Sequence, residues 1–387
     1  MHDEVKVCGT PEGYDAKIIL NELNHQQNSV VHVARDDKRM RAMADALNFF
    51  QPDLEVFEFP SWDCLPYDRV SPNMEISSNR MAILSKFADN AAKNFVVLTT
   101  LNAVLQKVPC RSVLRDYAFK AQVGKNINEK ILREFLVRMG FTKSSTVTEA
   151  GEYAIRGGII DIFPPGYSNP VRLDLFGNVL DGARLFDSET QLTIEKLNEI
   201  ELAPVSEVVI DEFSIKKFRQ SYRAQFGSTL TNDPLYEAVS SGRKYQGLEH
   251  WLPFFYEELD TVFSYFPTAT ITMYNNLDAD LVSRCKLVSD QYEARAYAND
   301  NKPTKDYAYK PIRPSALYLD ETEWAKLIQT RRSMIFNPLP QPLGPNIVDS
   351  GGRIGRNFAP ERQSDNLSLF SSLADHLQKR LKHGPVL

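Results

Sequence analysis

GEYAIRGGIIDIFPPG (residues 151–166), followed closely by VRLDLFGNV (171–179), poses the chain's first structural question. In the second segment Val171, Leu173 and Leu175 alternate with Arg172, Asp174 and Phe176, the two-residue period of a strand with one apolar face. The apolar set turns inward, which leaves a guanidinium, a carboxylate and an aromatic ring in a row on the outer face. Gly177-Asn178 reads as a two-residue hairpin turn, so VLDGARLF (179–186) runs back beside it. That register sets Asp174 against Asp181, a mildly unfavourable like-charge pair. Arg156 precedes Gly157-Gly158, which leaves its side chain uncrowded. Two readings of the face stand from pattern alone. In one, Arg172 pairs with Asp174 or another carboxylate and Phe176 folds under the turn. In the other, Arg156, Arg172 and Phe176 form a protein-docking patch, since Arg and aromatics are enriched at interface hot spots. DNA is a poor partner, because residues 151–190 carry three Arg against six Asp and Glu.

Outward from this hairpin the texture changes on both sides. Residues 1–117 alternate strand and helix: SVVHVA (29–34), LEVFEFP (54–60) and NFVVLTT (94–100) are strands separated by helical patterns such as KRMRAMADALNFF. That order predicts an α/β domain with a parallel, doubly wound sheet. Residues 118–204 read as a small inserted α+β domain. It opens on the amphipathic helix NEKILREFLVRMG (128–140), with Ile131, Phe135, Leu136 and Met139 on one side and Gly140 as its stop. From 205 to 330 mixed strand and helix return, including TVFSYFP (261–267) and ATITMY (269–274). The Pro-, Gly- and Asn-rich stretch 331–366 reads as a linker. A helix over NLSLFSSLADHLQKRLKHG and a strand-like start at PVL complete 331–387, the expected beginning of a further unit of a longer protein.

At 387 residues, 43% hydrophobic and 25% charged, the chain is long enough for two or three cores. No apolar run reaches the roughly 18 residues of a membrane helix. The net charge of −5 argues against strong general nucleic-acid affinity. Cys8, Cys64, Cys110 and Cys285 contain no CxxC pair, and the six histidines have no ligand spacing. A metal or disulfide framework is not expected, and a reducing cytoplasm fits best.

The sheet-first N-terminus invites a search for a phosphate loop. CGTPEGYDA (8–16) supplies Gly9 and Gly13, but Tyr14 and Asp15 stand where Lys and Ser/Thr are needed, and an aspartate there repels phosphate. VGKN (123–126) is weaker still. In YLDETEW (318–324), an acidic box for Mg²⁺ gives way to a helix cap, with Asp320 and Glu323 forming a capping box. FPSWDCLPYDRVSPNMEISSNRMAIL (59–84) allows a nucleic-acid contact through Trp62, Tyr67 and Arg80, or, as the reading preferred here, a rigid strand-to-helix connection. Catalysis has no visible home.

Taken together these residues resemble a known family. GEYAIRGGIIDIFPPG, VRLDLFGNVLDGARLFDSETQLT, the W-x-x-L-P-Y-D-x-x-S-P pattern within 59–84, VVLTTLNAVLQKVP and GRNFAPER are similar to the N-terminal, UvrB-like module of the bacterial transcription-repair coupling factors. The hairpin domain also matches one in the excision-repair helicase UvrB. The resemblance implies a degenerate helicase-type (RecA/P-loop-like) α/β domain split by an inserted UvrA-docking domain. It implies a non-catalytic adaptor that recruits UvrA in nucleotide excision repair. In that family two arginines and a phenylalanine of the inserted domain engage UvrA; the matching positions are Arg156, Arg172 and Phe176, and Arg184 matches a further arginine of the hairpin. ATP and Mg²⁺, RNA polymerase and DNA belong, on the same resemblance, to other modules of the full-length translocase. A C-terminal domain of that longer chain would mask the UvrA face. The fragment itself is expected to be a monomer that uses no cofactor. The alternative from another class is a weak DNA- or nucleotide-binding helicase-like module.

Overall fold

The computed structural model describes residues 4–26, 28–89, 94–227, 233–300, 309–342, 344–363 and 368–382. Its largest element is a seven-stranded, all-parallel sheet. In spatial order the strands are Ile347–Asp349, Glu4–Cys8, Ser333–Asn337, Thr270–Tyr274, Val30–Ala34, Phe95–Thr100 and Glu55–Phe59. Val30–Ala34 and Phe95–Thr100 are buried along their whole length, as expected of parallel strands covered on both faces. Helices Tyr14–Gln26 and Asp37–Phe50 pack on one side through Leu23, Met43 and Leu47. Helix Met74–Asp89 packs on the other through Met81, Leu84 and Phe87.

Two strands from after the insertion, Thr270–Tyr274 and Ser333–Asn337, lie between Glu4–Cys8 and Val30–Ala34. The chain therefore leaves this sheet, builds the insertion and returns to the sheet's middle. This corrects the linker reading of 331–366: residues 333–337 form a central strand, and 347–349 form an edge strand pairing with Lys6, Val7 and Cys8. The Pro- and Gly-rich composition belongs to the turns around these short strands and masked two apolar runs, SMIFN and IVD. Within TVFSYFP, left open between strand and helix by its sequence, the structure forms a turn. Val262–Tyr265 is a short 3₁₀ turn whose Val262, Phe263 and Tyr265 are fully buried. An apolar run buried on every side carries no period from which to choose between helix and strand. The segment PVL lies outside the described residues, and helix Leu369–Leu381 is present.

The insertion folds around a six-stranded sheet, in the order Thr193–Leu197, Val179–Phe186, Val171–Phe176, Ile159–Ile162, Glu152–Arg156 and Thr142–Lys143. Helix Glu129–Arg138 closes its inner face; Asn128 caps it by accepting from the Lys130 and Ile131 amides. Its core stripe is Leu132, Phe135, Leu136 and Met139, against Ile160, Ile162, Val171 and Leu173. Ile131, assigned to that stripe from sequence, is 54% exposed. Leu132 replaces it because the spacing 132, 135, 136, 139 keeps one helical face.

Trp62, Tyr67 and Arg80 do not form a strand-contact surface. They are 9%, 1% and 0% exposed. Arg80 donates to Glu207 through Nε at 2.6 Å and Nη2 at 3.3 Å and to the Pro60 carbonyl through Nη1 at 2.8 Å. Trp62 Nε1 donates to the same Glu207 carboxylate at 2.9 Å. Glu207 stands where the chain leaves the insertion, so this buried cluster clamps the return crossing to the 59–84 segment.

Two buried histidines set an acid limit on the fold. His32, with Nδ1 2.9 Å from Thr272 Oγ1, has its pKa pulled by burial down to about 3. His250, packed edge-on to Trp62 and stacked on Tyr67, is pulled by burial down to about 4. Both are neutral when folded and take up protons on unfolding below their ordinary 6.5. The stability they contribute is complete above that value and is lost as pH falls toward the folded values. The melting temperature is therefore expected to fall from about pH 6.5 to about pH 4. His250→Phe should flatten that fall, and an unchanged slope would remove His250 from the account.

Candidate protein-docking face

The register of the inserted sheet fixes which side chains share its outer face. One rung runs Arg156, Ile159, Asp174, Gly182; the next runs Ala154, Asp161, Arg172, Arg184, Lys196. A bulge between Asp174 and Leu175 sets Asp174 opposite Gly182, which corrects the expected pairing with Asp181 and removes the like-charge contact. Phe176 faces Val179 across the Gly177-Asn178 turn, and its ring is 82% exposed at the tip. It does not fold under the turn.

Gly158 brings the two tips together. The Leu175 amide donates to the Gly158 carbonyl at 2.7 Å, and a Cβ on Gly158 would stand 2.7 Å from the Leu175 carbonyl oxygen. Only glycine lets the 156–159 turn lie this close to the next strand. Exposed Arg156 and half-exposed Ile159 are thereby held on strands beside the one that carries Phe176. Arg156 makes one local bond, from Nη2 to the Ser145 carbonyl at 2.9 Å.

Arg172 and Arg184 are differently placed. Arg172 holds Asp161 with two bonds, Nε–Oδ1 at 2.6 Å and Nη2–Oδ2 at 2.9 Å, and reaches Gln191 Oε1 at 2.8 Å. Its guanidinium lies 4.3 Å over the Phe186 ring, and Asp161 is 2% exposed. Arg184 is paired with Asp174. The four candidate residues thus share one face, but only Arg156 and Phe176 offer uncommitted surface; Arg172 and Arg184 organise it. Asp161 was not singled out in the sequence, although the strand register would have placed it opposite Arg172.

At the C-terminal end of the large sheet, where nucleotides bind in open α/β sheets, a cavity of about 260 Å³ remains beside Ala34, Tyr274 and Phe336, but the chain's own groups hold the loop next to it. Asp15 Oδ1 accepts from the Gly13 amide at 2.9 Å and the Ala16 amide at 3.0 Å, so a carboxylate occupies the helix N-terminus that would cradle a phosphate. Arg39 Nη2 neutralises it at 2.8 Å. On the far side Ser350 Oγ donates to the Gly9 carbonyl at 2.6 Å, and Tyr14 donates to the Ser350 carbonyl at 3.0 Å. A Cβ on Gly352 would collide with the Gly9 oxygen and the Tyr14 ring, which explains this one glycine of GGRIGR as close packing over the loop. Asp320 and Glu323 form the expected capping box. Among the described residues no group of three or more His, Cys, Asp and Glu is placed to hold a metal, and no helix is long and apolar enough to cross a membrane.

A helicase-type α/β body interrupted by a small domain with an exposed Arg–Phe hairpin defines a UvrB-like module. Residues 119–208 match the family model described as the UvrB interaction domain. The chain is 30% identical over 314 residues to the transcription-repair-coupling factor of Rickettsia bellii (strain RML369-C), covering 81% of this chain and 28% of that protein. Against the Escherichia coli (strain K12) protein of the same name it is 32% identical over 270 residues, 69% of this chain and 23% of that one. The Bacillus subtilis (strain 168) counterpart is 26% identical over 303 residues, 74% of this chain and 25% of its own length. The chain belongs with the transcription-repair-coupling factors, as their N-terminal UvrB-like module. It spans about a quarter of the length of the relatives it matches.

Proposed function

We propose that this chain is a non-catalytic adaptor that recruits UvrA through the outer face of the inserted sheet. Phe176 carries the reading: a phenylalanine 82% exposed on a rigid hairpin, flanked by an uncommitted arginine, is an anchor with no structural use of its own. Arg172 and Arg184 hold the strands that present it. Within a longer coupling factor, contacts to DNA and RNA polymerase, ATP and Mg²⁺ use, and masking of the face by a C-terminal domain fall to other modules. The fragment then works in the cytoplasm as a monomer until it meets its partner. Calorimetric titration of the chain with purified UvrA tests the proposal: saturable binding supports it, and no heat at tens of micromolar overturns it.

The nucleotide-binding alternative is disfavoured by the Asp15 carboxylate on the amides of Gly13 and Ala16. Millimolar ATP with Mg²⁺ is expected to leave the melting temperature unchanged, because a ligand stabilises only a fold that binds it. A rise in melting temperature, or turnover of ATP, would restore that alternative.

A further inference from the structure

On the large α/β body, helix Leu277–Asp300 and residues 313–320 enclose a half-open cavity of about 420 Å³ that the docking reading does not use. Leu105, Val288, Tyr292, Tyr318 and Leu319 give it apolar and aromatic walls. Arg284 lines it too, with Nε buried and no acceptor for it among the described residues. Other buried or half-buried cations have partners: Arg80 has Glu207, Arg172 has Asp161 and Lys310 has Asp233, while Arg331, whose Nε also lacks an acceptor, still donates through Nη1 to the Phe266 and Pro267 carbonyls. The cavity's own carboxylates do not serve Arg284. Asp320 is committed to the Glu323 amide at 2.8 Å, Glu293 accepts from Ser289, and no carboxylate is among the charges that act on Arg284. Burial also lowers the Arg284 pKa, as expected of a cation left without a counter-charge.

Keeping a half-buried guanidinium unpaired is costly, and a cleft that does so is built for something that neutralises it. The volume lies in the range of small-ligand sites, and flat rings face the space beside the charge. We propose that this cavity binds a small organic anion, a single carboxylate or phosphate on a flat aromatic or apolar body. Arg284 takes the acid group, and Tyr292, Tyr318 and Val288 take the body. The inference is independent of UvrA recruitment, and each stands if the other fails.

Saturation-transfer NMR titrations of the whole chain with benzoate, phenyl phosphate and neutral benzyl alcohol test it. At least one anion is expected to bind about 10-fold or more tightly than benzyl alcohol, and the order of benzoate and phenyl phosphate identifies the preferred acid. Arg284→Gln should weaken the anion about 10-fold or more and raise the melting temperature of the ligand-free chain, because an uncompensated charge is removed. Ser289→Trp, at a half-buried wall position, should abolish binding while the fold is retained. The proposal is overturned if neither anion binds at millimolar concentration, if benzyl alcohol binds equally well, or if Arg284→Gln leaves anion binding unchanged. A lower melting temperature for Arg284→Gln would also contradict it, by making Arg284 a structural residue.

Discussion

Phe176→Ala is expected to weaken association with UvrA by about 1–3 kcal/mol, roughly 5- to 150-fold in Kd, and to leave the melting temperature unchanged. The side chain is 82% exposed, so its removal takes nothing from the core. Arg156→Ala should behave similarly, since it loses one bond to the Ser145 carbonyl and no buried partner. Arg172→Ala should differ in kind. It strands Asp161, 2% exposed, without its two guanidinium bonds, and should cost about 2–4 kcal/mol of folding stability on top of any loss of binding. Calorimetry for Kd paired with urea denaturation separates the cases. A Phe176→Ala variant that binds like the parent would move the interface off the hairpin tip.

Glu207→Ala is expected to destabilise the fold by about 3–5 kcal/mol, read from the urea midpoint. Both partners of its ion pair are inaccessible, with side chains 0% exposed for Arg80 and 1% for Glu207. Truncating Glu207 leaves a buried guanidinium without its counter-charge, holding only the Pro60 carbonyl, and the Trp62 indole N–H without an acceptor. The charge rather than the volume carries the effect: Arg80→Met with Glu207→Leu removes both charges together and should cost clearly less than Glu207→Ala alone. A double variant as unstable as the single one would reassign the cluster to packing, through the Arg80 guanidinium 4.3 Å over Phe59.

Much of this architecture is legible in the residues. The alternation of Val171, Leu173 and Leu175 with Arg172, Asp174 and Phe176 specifies the sheet faces because side chains point up and down with period two. The Gly177-Asn178 turn and the Asp320/Glu323 cap are local, and local chemistry is readable. What escaped was non-local. Ser333–Asn337 enters the middle of a sheet whose neighbouring strand, Glu4–Cys8, lies more than 300 residues earlier, and its proline-rich surroundings suggested a linker. The bulge at Asp174 shifted the hairpin pairing by one residue. At the candidate face the residue types were evident from sequence, but their division of labour was not. Whether Arg172 is free or spent depends on Asp161 one strand away, and only the register supplies that. The sequence pattern left a nucleic-acid contact through Trp62, Tyr67 and Arg80 open beside the preferred rigid connection, and their burial on Glu207 and His250 supports the latter.

Amide hydrogen exchange of the chain, alone and with saturating UvrA, tests the central claim most directly. The account predicts slowed exchange confined to the 156–159 turn and the 171–186 hairpin, with the 8–16 loop and the 270–276 end of the large sheet unchanged. Protection centred on that sheet end, with the hairpin unaffected, would contradict it.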